Sequence, residues 1–171
     1  HANFSQIEFE GDRIRCGAGA KLKQVAVEAK RQGLSGVEFL EGIPGSVGGW
    51  IAMNAGIQGR EMKDVVACIE LYEPERSAIV VRDRDELVFR YRATELPAGA
   101  VVLSATFRTQ PGDPGQIRER QRTYLAQRRA TQPIDQPSCG SVFKNPPGDF
   151  AGRLIEAAGL KGACEGAAQI S

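Results

Sequence analysis

Between residues 42 and 49 the chain reads Gly-Ile-Pro-Gly-Ser-Val-Gly-Gly, with four glycines, one proline and one serine in eight positions. Glycine admits positive φ and leaves no Cβ to keep a ligand away from the backbone. Successive N–H groups in such a turn form an anion-binding nest suited to a pyrophosphate. The apolar run Trp50–Ala55 that follows is placed to open a helix whose N-terminus would add its dipole. The loop has neither the Gly-Lys-Ser/Thr of a P-loop nor the G-x-G-x-x-G of a dinucleotide fingerprint. The same composition also suits a tight turn that lets two elements pack closely. Asn54 and Gly56, just behind, add polar and flexible positions and favour a ligand.

Composition narrows the remaining chemistry. No metal site is expected, because the one histidine is His1 and the four cysteines (Cys16, Cys68, Cys139, Cys164) form no CxxC pair. The cysteines read as reduced thiols of a cytoplasmic protein. Twenty-two basic residues nearly cancel 21 acidic ones, which predicts neither a nucleic-acid partner nor a membrane-surface one. No run approaches the ~18 apolar residues of a membrane span, and no secretory n-region and h-region open the chain. A length of 171 residues fits one good-sized domain, or one domain and part of another. The chain opens without methionine at His1-Ala-Asn-Phe4, leading into a strand, and stops at Ala168–Ser171 as an apolar segment begins. It therefore reads as a piece of a longer protein.

The elements that must position the loop follow from periodicity. Ile7–Glu10 and Arg13–Cys16 alternate apolar and charged residues around Gly11-Asp12, which predicts a hairpin with one buried face. Leu22, Val25, Ala26 and Ala29 lie on one face of a helix that ends at Lys30-Arg31, with Gly33 placed as its cap. Strands are predicted over Val65–Tyr72, Ser77–Val81 and Val101–Thr109, with a short element at Phe89–Arg92. Pro111-Gly-Asp-Pro-Gly115 breaks the pattern and marks a domain boundary, giving 1–112 and 113–171. Ile117–Arg129 reads as a basic helix around a sparse apolar stripe, and Ala151–Ala158 as a last helix before Gly159. Strands and helices mix without regular alternation, so the fold class is α+β.

Three segments carry a family resemblance. Gly42–Gly49 with Met53-Asn-Ala-Gly56 closely resembles the flavin-binding segment of the UDP-N-acetylenolpyruvoylglucosamine reductases. Phe89-Arg-Tyr-Arg92 is similar to that family's Tyr-Arg element. Gly140-Ser-Val-Phe-Lys-Asn-Pro146, followed by Ala151–Ile155 and Gly159–Gly162, supplies a third match in the family's order. The resemblance implies a PCMH-type flavin domain, the vanillyl-alcohol-oxidase fold, in residues 1–112, and part of an α+β substrate domain in 113–171. It implies FAD and NADPH as cofactors and reduction of an enolpyruvyl ether on a UDP-sugar to UDP-N-acetylmuramate, a peptidoglycan precursor. Carried over residue by residue, it makes Ser141 the proton donor and Arg92 the catalytic arginine. A hydroxyl at Ser141 would quench the carbanion left by hydride addition, and a guanidinium at Arg92 would bind the substrate carboxylate bidentately. Ile43, Pro44, Gly45, Ser46, Val47, Gly49, Asn54 and Ala55 become cofactor-binding residues. Tyr91, Gln132, Lys144 and Asn145 become substrate-binding ones.

The chain departs from the family in places. The family's catalytic glutamate belongs to a C-terminal segment not reached here, and Glu156 and Glu165 stand at the wrong places to replace it. A Gly-Ser-Asn loop of the N-terminal flavin subdomain is also missing. Trp50-Ile51 stands where many relatives carry smaller residues, and Gly166-Ala-Ala168 replaces a paired-glycine run. Two other functions fit parts of the pattern. One is a non-catalytic nucleotide-binding module using the 42–49 nest and the arginines of 116–129. The other is a different flavoprotein oxidase of the same fold.

Overall fold

Gly11 and Asp12 turn the chain between β1 (Ile7–Glu10) and β2 (Arg13–Gly17), whose side chains alternate between solvent and interior. The computed structural model describes residues 4–57 and 59–171; His1–Asn3, expected to lead into the first strand, lie outside them. The hairpin pairs Phe9 with Ile14 and Ile7 with Cys16. Helix α1 (Leu22–Arg31) then buries Leu22, Val25, Ala26 and Ala29, the i, i+3, i+4, i+7 stripe its spacing predicts.

Past β3 (Leu34–Ser35) and a 3-10 turn at Glu38–Gly42, the glycine loop runs into α2 (Val47–Met53). This helix starts three residues before Trp50. It can do so because two of its first amides find partners outside it, Val47 N–H on Ala20 O at 2.9 Å and Gly48 N–H on Ala18 O at 2.8 Å. A small hairpin of β4 (Gly56–Ile57) and β5 (Arg60–Glu61) follows. The long strands β6 (Val66–Glu73) and β7 (Ala78–Asp83) come next, then a second small hairpin of β8 (Phe89–Arg90) and β9 (Ala93–Thr94). Strand β10 (Val101–Arg108) inserts between β2 and β6, so the antiparallel sheet runs β1-β2-β10-β6-β7.

Helix α1 packs on the 3-10 turn at Glu38–Gly42 and on β3, while α2 packs on β10 and β2 of that sheet. Its inner row sets Cys16 against Ala105 and Ala105 against Ile69, and all three are buried. Trp50 lies between Phe39 and Phe107, with ring centroids 5.7 and 5.3 Å away. Trp50 Nε1 donates to Ala55 O at 2.5 Å, so the one polar atom of this large core side chain is satisfied. The mixture of antiparallel sheet and packed helices is the α+β architecture expected.

Strand β11 (Gln110–Pro111) pairs with β3, and α3 (Pro114–Thr131) follows. The chain divides into two compact units between Arg128 and Arg129, and the Pro111–Gly115 break lies within the first. The break is a helix start. Asp113 Oδ1 accepts from Gln116 N–H at 2.8 Å as an N-cap, and Pro114 stands where a missing N–H costs nothing. The helix is then fastened to the first unit. Ile117 is buried, Gln121 Nε2 donates to Ala26 O at 3.1 Å, and Arg120 reaches Glu38 at 2.8 Å and Ser35 Oγ at 3.0 Å.

The second unit, Arg129–Ser171, contains α4 (Ala151–Ala157) and a hairpin of β12 (Cys164–Glu165) and β13 (Ala168–Gln169). None of its residues is buried. Asp149 and Arg153 pair across one helical turn, and Lys161 pairs with Glu156 at 3.1 Å. Among the described residues no helix is long and apolar enough to cross a membrane.

Candidate functional site

The glycine loop is held on one side and open on the other. Lys21 bridges Ser46, and Leu22 N–H donates to Gly45 O at 3.2 Å. Together with the Val47 and Gly48 bonds, these fix the loop to residues 18–22. Gly45 has φ +124°, a conformation L side chains rarely adopt, and a Cβ there would meet nothing within 4 Å. A Cβ on Gly49 would meet only Ser46 Oγ, at 3.7 Å. Among the described residues, the amides of Gly45, Ser46 and Gly49 have no acceptor. Unpaired N–H groups beside two positions without side chains fit the diphosphate of a dinucleotide. Because α2 has only seven residues, local amides carry this attraction rather than a long-helix dipole.

The residues named for the cofactor divide into two groups. Pro44, Gly45 and Gly49 are exposed, and Ile43 and Ser46 are half-buried. Val47, by contrast, is fully buried in the core. Ala55 is occupied by backbone bonds: its N–H donates to Trp50 O and its O accepts from Met62 N–H, both at 3.2 Å. Asn54 is buried and left-handed, with φ +38°. Its Nδ2 donates to Glu61 Oε2 and to Arg90 O, both at 3.1 Å, and its Oδ1 accepts from Lys63 N–H at 3.3 Å.

Arg92 sits at the tip of the β8–β9 hairpin with φ +55°. It makes no ion pair among the described residues. Of the acidic residues upstream, Asp83 and Glu86 are otherwise engaged, since they form a capping box and Arg82 pairs with Glu86. The Arg92 guanidinium carbon lies 5.2 Å from the Tyr91 ring centroid. Both residues line a cavity of about 350 Å³ together with Arg60, Glu61 and Lys63. Arg60 is paired with Asp64, at 3.9 Å, and Lys63 with Glu61, so the excess positive charge that makes the hollow favour anions is that of Arg92. Lys63 Nζ holds Glu61 at 2.7 Å, and that hydrogen bond keeps its ammonium pKa above the ordinary value. Glu61 and Lys63 join this hollow without being singled out by any motif of the sequence. The Glu61-x-x-Asp64 spacing, a capping box in the structure, was the signal available for Glu61.

In the second unit, Ser141 and Lys144 lie in an irregular exposed segment that follows Gly140. Asn145 Oδ1 accepts from Ala151 N–H, the first amide of α4, at 3.1 Å. Gln132, just past α3, is also exposed.

Ionisation elsewhere follows burial and pairing. Burial alone would raise the Glu38 carboxyl, but N–H bonds from its own backbone and from Gly36, with the Ser35 hydroxyl and Arg120, hold it below the usual carboxylate range. The Ser104 hydroxyl, at 2.6 Å, lowers Glu70, and Arg15 adds to the effect. Burial pushes the Cys16 thiol up to about 12, which leaves it unreactive. No cluster of three or more metal-ligating side chains occurs among the described residues.

Comparison with known proteins adds independent findings. Residues 2–79 match a family described as an FAD binding domain. Residues 132–171 match the C-terminal domain of UDP-N-acetylenolpyruvoylglucosamine reductase. A UDP-N-acetylenolpyruvoylglucosamine reductase of Anaeromyxobacter sp. (strain Fw109-5) is 47% identical over 162 residues, covering 93% of this chain and 49% of that protein. One from Alkalilimnicola ehrlichii is 46% identical over 167 residues, covering 96% and 55%. The crystal structure of the Thermus caldophilus reductase superposes with a TM-score of 0.85 at 38% identity, over 98% of this chain and 60% of that one. The chain spans about half the length of the curated relatives it matches.

Proposed function

The chain belongs to the UDP-N-acetylenolpyruvoylglucosamine reductase family, and on that premise we propose that the protein reduces the enolpyruvyl ether of a UDP-sugar to UDP-N-acetylmuramate. FAD, when bound, supplies hydride taken from NADPH. The amides of Gly45, Ser46 and Gly49 would hold its diphosphate. The observation that carries the reading is Arg92: an arginine in a left-handed conformation, without an ion pair among the described residues, lining a cationic cavity.

In this reading Arg92 receives the substrate carboxylate, and its planar fork suits the two oxygens. Charge builds on that carboxylate as the adjacent carbon becomes carbanionic, so the same contact strengthens along the reaction. Ser141 Oγ–H then gives its proton to the carbon next to the carboxylate, and the serine oxygen regains a proton from solvent. A serine hydroxyl is a weak acid, so its contribution depends on being held at the carbon rather than on acidity. Tyr91 shapes the pocket around Arg92. Gln132, Lys144 and Asn145 contact the UDP-sugar.

The test separates the two half-reactions in the full-length protein. Ser141→Ala and Arg92→Ala each leave flavin reduction by NADPH near the parent rate. Each slows reoxidation by the enolpyruvyl substrate by about 10²–10⁴-fold in stopped-flow absorbance. Unchanged reoxidation in both variants would sink the reading.

A further inference from the structure

We propose that the last turn of α2 is a two-point clamp that positions Arg92, with Asn54 and Thr94 as its positioning residues. The inference rests on the reading of Arg92 as the carboxylate-binding group. Its starting point is strain. A non-glycine residue at φ +55° keeps that conformation only where the surroundings over-determine it. The hairpin itself supplies little of this: β8 and β9 are two residues each, pairing Phe89 with Thr94 and Arg90 with Ala93, and beyond them stand one backbone bond, Glu95 N–H to Val88 O at 2.9 Å, and the exposed Arg90–Glu95 ion pair. Ladders that short are not independently stable.

The missing constraint comes from α2, on both sides of the tip. On the entering strand, Arg90 O accepts from Asn54 Nδ2 at 3.1 Å. On the leaving strand, Thr94 Oγ1 donates to Ile51 O at 2.5 Å. Each bond anchors a residue two positions from Arg92, and each ends on the C-terminal turn of the same helix. Both side chains are buried, Asn54 to 1% exposure and Thr94 to 9%, so water does not compete for the bonds. Asn54 has both N–H donors and one oxygen lone pair committed inside the protein. This gives it a task other than the cofactor contact expected from resemblance. Because the glycine loop enters the other end of α2, the clamp also ties the arginine to the cradle through one short rigid element.

The experiment uses the flavin-loaded full-length enzyme. Asn54→Gly keeps the left-handed backbone and removes only the side chain. Thr94→Val removes only the hydroxyl, and Thr94→Ser restores it. Asn54→Gly and Thr94→Val should each lower kcat/KM for the enolpyruvyl substrate roughly ten- to hundredfold, while in Thr94→Val flavin reduction by NADPH stays within about twofold. Thr94→Ser should recover most of the loss. Amide hydrogen exchange at Tyr91–Ala93 should quicken in both damaged variants, a readout independent of turnover. In an Arg92→Ala background either substitution should add less than about twofold, since nothing is left to position. If Arg92→Ala leaves the second half-reaction intact, the reading of Arg92 fails and the clamp loses its purpose. If Arg92→Ala is crippled while Asn54→Gly and Thr94→Val match the parent, or slow both half-reactions equally, the clamp alone is overturned.

Discussion

The two units hold their candidate site residues by different means. In the first, Asn54, Thr94 and the glycine loop are fixed by bonds between elements far apart in sequence, over a core that includes Trp50, Phe39 and Phe107. In the second, Ser141 and Lys144 lie in irregular chain, and Asn145 is held by a hydrogen bond from an amide only six residues away. Val142, Phe143 and Phe150 there are more than 60% exposed. Packing therefore pre-organises one set of groups, whereas in the other a short-range hydrogen bond holds Asn145. Local stability differs accordingly, since segments with few buried contacts open at low free-energy cost.

Substitutions can sharpen or break that contrast. Trp50→Ala removes the ring between Phe39 and Phe107 and should cost the first unit about 3–5 kcal/mol, read from urea unfolding followed by circular dichroism. Gly56→Ala comes next. A Cβ there would overlap the Arg60 carbonyl and crowd Glu61, so β4 and β5 must separate, at about 3 kcal/mol. Crystallography or exchange at Arg60–Glu61 would show the hairpin displaced.

Glu38→Gln should cost about 2 kcal/mol through its bonds to Arg120, Ser35 and Gly36. It also carries a pH signature. The folded carboxyl lies below its ordinary value of 4.5, so its stabilisation is fully present above that value and is lost as the pH falls through the lowered one. Parent stability should therefore fall more steeply in acid than that of Glu38→Gln, and parallel pH curves would refute the assignment. The smallest effect tests the second unit. Phe143→Ser should change the stability of this chain by no more than about 0.5 kcal/mol. A loss above 1 kcal/mol, in the units of that same unfolding assay, would reveal packing there and dissolve the contrast.

Periodicity made the regular elements legible. The Leu22–Ala29 stripe and the alternation of Arg13–Cys16 each bury the residues they single out. The glycine loop was legible for its composition. What stayed hidden depends on long-range partners. Thr94 meets Ile51 across 43 positions and Asn54 meets Arg90 across 36, and no local pattern encodes either pairing. Pro114 is ambiguous for a related reason, since a proline that reads as a breaker is equally suited to the first turn of a helix. Only the docking of Ile117, Arg120 and Gln121 shows which role it takes.

The brevity of α2 has a consequence for how such a chain can vary. A helix of seven residues is about 10 Å long, and each residue added would advance the chain by about 1.5 Å and turn it by about 100°. An insertion or deletion within Val47–Met53 would thus swing everything beyond it out of register with the glycine loop. Substitution at exposed Ala52 or Met53 would leave the register untouched. At Ala52 and Met53 this stretch is tolerant in the identity of its residues, and throughout it is intolerant in their number.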